Sequence, residues 1–103
     1  MNAGSNETRP GLARLHIWVA GRVQGVGFRA FVQHTAYSLR LNGWVRNVGY
    51  DHVEVVAEGS PAVLEHFADI VRAGPAGSRV DNFRMERETA TGEFTRFEVR
   101  PSR

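Results

Sequence analysis

Apolar residues in this chain switch between two periods, and the order of the switches leaves few folds open. Leu15, Ile17 and Val19 alternate with His16, Trp18 and Ala20, the period of two expected of a strand with two unlike faces. After the turn-like stretch from Gly21 to Gly27, the residues Phe28, Phe31, Val32, Thr35, Ala36 and Leu39 recur at three- and four-residue steps and share one helical stripe. Asn42-Gly43 breaks that pattern. Trp44 to Asn47 and Val53 to Glu58 then read as short strands, and Val48-Gly49-Tyr50-Asp51 between them predicts a hairpin. A second helix is marked at both ends, by Ser60 as N-cap with Pro61 in the first helical position, and by Gly74-Pro75 as the stop. Its stripe is Leu64, Phe67, Ala68 and Val71, widened by Val63 and Ile70. Two further strands are predicted over Val80 to Glu88, with Phe83 and Met85 on one face, and over Phe94 to Arg100, with Phe97 and Val99 on one face.

Strand, helix, strand, strand, helix, strand, with one more strand at the end, is the split β-α-β order of ferredoxin-like domains. The expected class is therefore α+β: an α/β sandwich with a mainly antiparallel sheet and, because crossovers are right-handed, both helices on one face. Leu15, Ile17, Val19, Phe83 and Met85 are expected beneath the helices, with Trp18 and Val56 on the opposite alternation. A length of 103 residues with 42% apolar side chains suffices for one core, and the expected division is a loose tail over 1–11 and a single domain over 12–103.

Composition removes several function classes. The chain has no cysteine, which excludes disulfides, thiolate catalysis and cysteine-rich zinc sites and agrees with a reducing, cytoplasmic setting. All thirteen basic residues are arginines scattered from Arg9 to Arg103, and the net charge is only +2, so no basic stripe for nucleic acid is expected. The polar start lacks the apolar segment of a secretory signal, and no apolar run approaches the ~20 residues needed to cross a bilayer. His16, His34, His52 and His66 fall on separate elements without metal-ligand spacing, so no metal is expected. Glu54 and Glu58, like Glu86 and Glu88, read as solvated strand faces.

The chemistry concentrates in Gly21-Arg22-Val23-Gln24-Gly25-Val26-Gly27-Phe28-Arg29, between a strand and a helix. Its glycines permit backbone conformations in which successive N–H groups turn inward around an anion, and the helix N-terminus adds free N–H groups and a favourable dipole. The backbone of Val23, Gln24, Gly25, Val26, Gly27 and Phe28 would form the cradle. Arg29, in the first turn, adds a planar fork for two phosphate oxygens. With no cysteine, and no serine in the loop, a bound water is the simplest nucleophile. A neutral amide can position such a water by giving one hydrogen bond and taking another. Asn47, ending the strand Gly43-Trp44-Val45-Arg46-Asn47, is a candidate that residue type alone does not separate from Asn42 or Asn82.

The loop motif, followed by Asn42-Gly43-Trp44-Val45-Arg46-Asn47 and Val53-Glu54-Val55-Val56-Ala57-Glu58-Gly59, resembles the acylphosphatase family, over a span from about Leu15 to Val99. The resemblance implies a ferredoxin-like sandwich that hydrolyses acyl phosphates to a carboxylate and inorganic phosphate without metal or organic cofactor. It also implies that Arg29 binds the phosphate and Asn47 orients the water, with the acyl group largely exposed. The hairpin loop Val48-Gly49-Tyr50-Asp51-His52 departs from the family in lacking an Asp-Gly pair. The chemistry is consistent with so small a site, because a carboxylate leaving group departs without a general acid and the water can pass its proton to a phosphate oxygen. A monomer is expected, and the chain length reads as that of a free enzyme rather than a regulatory or carrier-modifying domain.

Two rivals are weaker. Gly25-Val26-Gly27-Phe28-Arg29-Ala30 formally fits a dinucleotide fingerprint, but that unit needs a parallel sheet, and here a hairpin follows the second strand. An RNA-binding module of the same fold would carry stacking aromatics on its central strands, and no such motif appears in Val53 to Glu58.

Overall fold

The computed structural model describes residues 11–103, so all but Gly11 of the expected tail lies outside the described residues. The elements are β1 (Ala13–Arg22), α1 (Phe28–Ser38), β2 (Asn42–Val48), β3 (His52–Gly59), α2 (Pro61–Ala73), β4 (Arg79–Glu88) and β5 (Phe97–Val99). They form one five-stranded sheet in the order β4-β1-β3-β2-β5, in which every neighbouring pair is antiparallel except β2 and β5. No helix among the described residues is long and apolar enough to cross a membrane.

Register turns the sequence alternation into two sheet faces. Ile17 lies opposite Val55, which lies opposite Val45, and Val19 opposite Val53, which lies opposite Asn47. This row-by-row matching puts Leu15, Ile17, Val19, Val45, Val53 and Val55 on one fully buried face, packed with Phe28 and Val32 of α1 and Leu64, Phe67 and Val71 of α2. Helix α2 begins as its sequence signals require: the Ser60 hydroxyl accepts from the Val63 N–H at 3.4 Å, and Pro61 occupies the first turn. The hairpin between β2 and β3 closes over three residues, with Gly49 at φ 62 taking the left-handed conformation.

Several expectations are corrected. Ile70 is only half-buried. Met85 shares a row with Ile17, yet it is 45% exposed, because β4 is an edge strand; α2 shelters Phe83, beneath the Arg72 guanidinium, but not Met85. The last strand is shorter than the expected Phe94 to Arg100, since the segment before it is drawn to another partner. There the Thr91 and Gly92 N–H groups donate to the Glu58 carboxylate at 2.9 and 3.0 Å. Glu54 and Glu58 are not solvated: they are 9% and 4% exposed. On the sheet face away from the helices Arg14 pairs with Glu58 at 2.8 Å, Arg46 with Glu54 at 2.7 Å, and His16 lies between Glu54 and Glu88.

That network has a pH signature. Burial alone would raise the Glu58 and Glu54 carboxyls. It is outweighed at Glu58 by the Thr91 and Gly92 N–H groups and Arg14, and at Glu54 by His16 and Arg46, so both titrate below the ordinary value. A carboxylate depressed in the folded state stabilises above its unfolded value, and that contribution is lost as pH falls through the folded value. The urea midpoint is therefore expected to fall with acidification below about pH 4.5, the ordinary value for a glutamate, and Glu58→Gln should flatten that dependence. An equally steep fall in the variant would place the acid sensitivity elsewhere.

Candidate active site

Where β1 ends and α1 begins, the chain runs through Gly25 and Gly27 at φ 74 and 75, a region that side chains with a Cβ rarely occupy. Gly27 is the N-cap of α1 and provides no side-chain cap. The first intrahelical bond runs from the Phe31 N–H to the Gly27 carbonyl at 3.0 Å, so the N–H groups of Phe28, Arg29 and Ala30 precede the helical ladder. No acidic residue occupies that first turn. The result is a glycine-permitted turn into α1 whose first-turn N–H groups lie outside the helical ladder, bordered by Arg29.

Two sets of bonds join this loop to the β2–β3 hairpin. The Gly21 N–H donates to the Asp51 carbonyl at 3.0 Å. The Gln24 side-chain amide donates to the carbonyls of Gly49 and His52 at 3.1 and 2.9 Å. Loop and hairpin are thus held as one unit, and the end of β2 is carried to the cleft that the loop lines. There Asn47 faces the helices, in the row of Val53 and Val19, at the point where the apolar face gives way to the cleft. It is 9% exposed, and its Oδ1 is buried with no hydrogen-bond partner among the described residues. A buried amide oxygen left unpaired costs about 1–3 kcal/mol, and such atoms concentrate where a ligand or water is to be bound.

The cleft itself has a volume of about 300 Å³. Of the residues expected from sequence, Val23, Gln24, Gly25, Gly27, Phe28, Arg29 and Asn47 line it together. Val26 does not; it is half-buried against the core, and Val23, though in the wall, gives its N–H to the Gly21 carbonyl at 3.0 Å rather than to the cleft. Ala30, Gln33 and Val99 complete the wall and were not expected. Gln33 stands one helical turn after Arg29, a spacing the sequence does contain, whereas Val99 arrives from β5 by a long-range pairing that no local pattern announces. Arg14 and Arg46 are taken up by glutamates. No described carboxylate pairs with Arg29 or lines the cleft. Among the described residues, no three His, Asp or Glu side chains come together as a metal site.

The acylphosphatase family profile matches residues 15–99. The chain belongs to the acylphosphatase family. An acylphosphatase of Syntrophotalea carbinolica is 48% identical over 87 residues, covering 84% of this chain and 95% of that one. The crystal structure of acylphosphatase from Bacillus subtilis superposes with a TM-score of 0.81 at 38% identity, over 84% of this chain and 97% of that one. An acylphosphatase from Coxiella burnetii gives 0.85 at 32% identity, over 92% and 99%. The chain is thus an acylphosphatase, a hydrolase with the ferredoxin-like fold, and the expected fold class stands as read. The dinucleotide reading falls with the topology, since the strand beside β1 on each side is antiparallel to it. The sheet face away from the helices does carry Trp18 and Trp44, each packed by neighbouring side chains. Trp18 is stacked by His16 at 3.8 Å and covered by Arg84, and Trp44 is flanked by Arg46 and Arg100.

Proposed function

We propose that the chain hydrolyses acyl phosphates with Arg29 and the backbone of Gln24, Gly25, Gly27 and Phe28 holding the phosphate and Asn47 orienting the attacking water. The observation that carries this reading is the unpartnered, buried Oδ1 of Asn47 beside a cradle of N–H donors. Such an oxygen accepts from a water O–H, and an acceptor aimed at a water turns that water's lone pair toward the phosphorus. Water oxygen attacks phosphorus, the bond from phosphorus to the acyl oxygen breaks, and its electron pair leaves on the carboxylate. The water's proton passes to a phosphate oxygen, so no protein base is needed. Charge on the phosphoryl oxygens is met by the Arg29 fork and by donors that need no reorganisation, since Gln24 and Gly21 fix the loop in advance.

The reading is tested by phosphate release from benzoyl phosphate with purified protein. Release is expected, with inorganic phosphate as a competitive inhibitor because it occupies the same cradle. Release that inorganic phosphate inhibits without competing would remove the loop as the binding site.

A further inference from the structure

The cleft does not end at Arg29. Ala30 and Gln33 also line a second hollow, of about 240 Å³, whose other walls are His34, Tyr37 and Phe97. His34, Tyr37 and Phe97 in turn line a third, of about 920 Å³, that reaches Arg40 and Arg96. Their shared walls set the three hollows in a row between α1 and β5, with the Gln33 amide donating to the Phe97 carbonyl at 3.3 Å midway, and we read the row as one groove. Ala30, Gln33, His34 and Tyr37 follow one another at helical spacing on one face of α1. From Arg29 to Arg40 the groove is roughly 16 Å long at 1.5 Å rise per residue.

Two features give the groove a direction. No Asp or Glu lines any of its three parts, while its far end carries Arg40 beside His34 and an Arg96 whose guanidinium pairs with Glu98 at 3.0 Å. Arg40 is also the one described residue other than glycine with positive φ, at 59. It closes α1 where the Leu41 N–H bonds the Ala36 carbonyl at 2.8 Å and its own N–H bonds the Tyr37 carbonyl at 3.1 Å. Glycine suits that position best, and a side chain there costs on the order of 1 kcal/mol. The chain therefore carries a guanidinium at the groove's end against its own backbone preference, and an outlier of this kind points to function.

We propose that the groove is the acyl-binding arm of the site and selects acyl phosphates whose acyl group is extended and ends in a second anion, met by Arg40. The proposal rests on the cradle reading of the preceding subsection. Tyr37, 80% exposed, is free to lie along the acyl chain as it passes Phe97.

The test compares kcat/KM for three substrates: acetyl phosphate, decanoyl phosphate and the mono(acyl phosphate) of decanedioic acid. The wild-type protein is expected to prefer the decanedioic substrate. Arg40→Gly should lower kcat/KM for it roughly fivefold, the usual worth of one partly exposed ion pair, and leave acetyl and decanoyl phosphate unchanged. The same variant should unfold at a higher urea concentration, because the backbone strain is relieved. Tyr37→Ala should weaken both ten-carbon substrates and spare acetyl phosphate. Equal efficiency on all three substrates, or an Arg40→Gly variant that loses activity on all of them alike, overturns the groove and leaves the cradle standing. Phosphate release from none of the three overturns the cradle reading and the groove with it.

Discussion

Asn47→Ala is expected to lower turnover on benzoyl phosphate by on the order of a hundredfold or more, while inhibition by inorganic phosphate hardly changes. The asymmetry follows from what the side chain touches. Its Oδ1 has no partner among the described residues, so removing that oxygen breaks no protein–protein hydrogen bond among them. The variant should therefore unfold at a urea concentration close to that of the wild type. Loss of turnover with undiminished stability separates a role in the reaction from a role in the fold. If a folded Asn47→Ala protein keeps most of its turnover, another group places the water.

Arg29→Ala is expected to be more damaging, lowering kcat/KM by on the order of a thousandfold and weakening inorganic phosphate as an inhibitor. In the proposed role Arg29 meets charge that is present on the bound phosphate and grows in the transition state, so affinity and turnover are expected to fall together. Arg29→Lys should recover little, because an ammonium cannot bond two oxygens in one plane. The fold should tolerate both changes, since Arg29 is half-buried at the cleft and pairs with no described carboxylate. An Arg29→Ala protein that phosphate inhibits as strongly as the wild type would mean that the backbone alone holds the anion.

These two side chains show what was legible beforehand. Arg29 was readable from neighbours in sequence, because glycines and a helix start lie directly before it and the chemistry of an anion site is local. Asn47 was not separable by residue type from Asn42 or Asn82. What distinguishes it is facing the helices at a strand end stitched to the loop, and only register supplies that fact. Helix α2 was plain for the same reason as Arg29: Ser60, Pro61 and Gly74 mark its ends within a few residues. Sequence pattern and structure part where a distant partner decides the outcome. Glu54 and Glu58 read as surface because their cations, Arg46 and His16 for one and Arg14 for the other, come from other strands. Met85 read as core because alternation cannot say that its strand is an edge. Gln24 was expected to offer its backbone, and its side-chain amide proves to be the rivet between loop and hairpin.

The pairing of β5 with β2 has a consequence for synthesis. Beyond β5 the chain continues along the same edge, with the Arg100 N–H on the Val45 carbonyl at 2.8 Å and the Arg103 N–H on the Asn47 carbonyl at 2.9 Å. The partners lie more than fifty residues apart, so the loop closed by this contact is among the longest in the fold and slow to form. A chain emerging N-terminus first presents Val45 and Asn47 on an open strand edge, a template for a neighbouring chain, until residues 97–103 arrive to cover it. The same late step delivers Val99 to the cleft wall. Protection from mispairing and completion of the cleft wall therefore occur together, when residues 97–103 pair with β2.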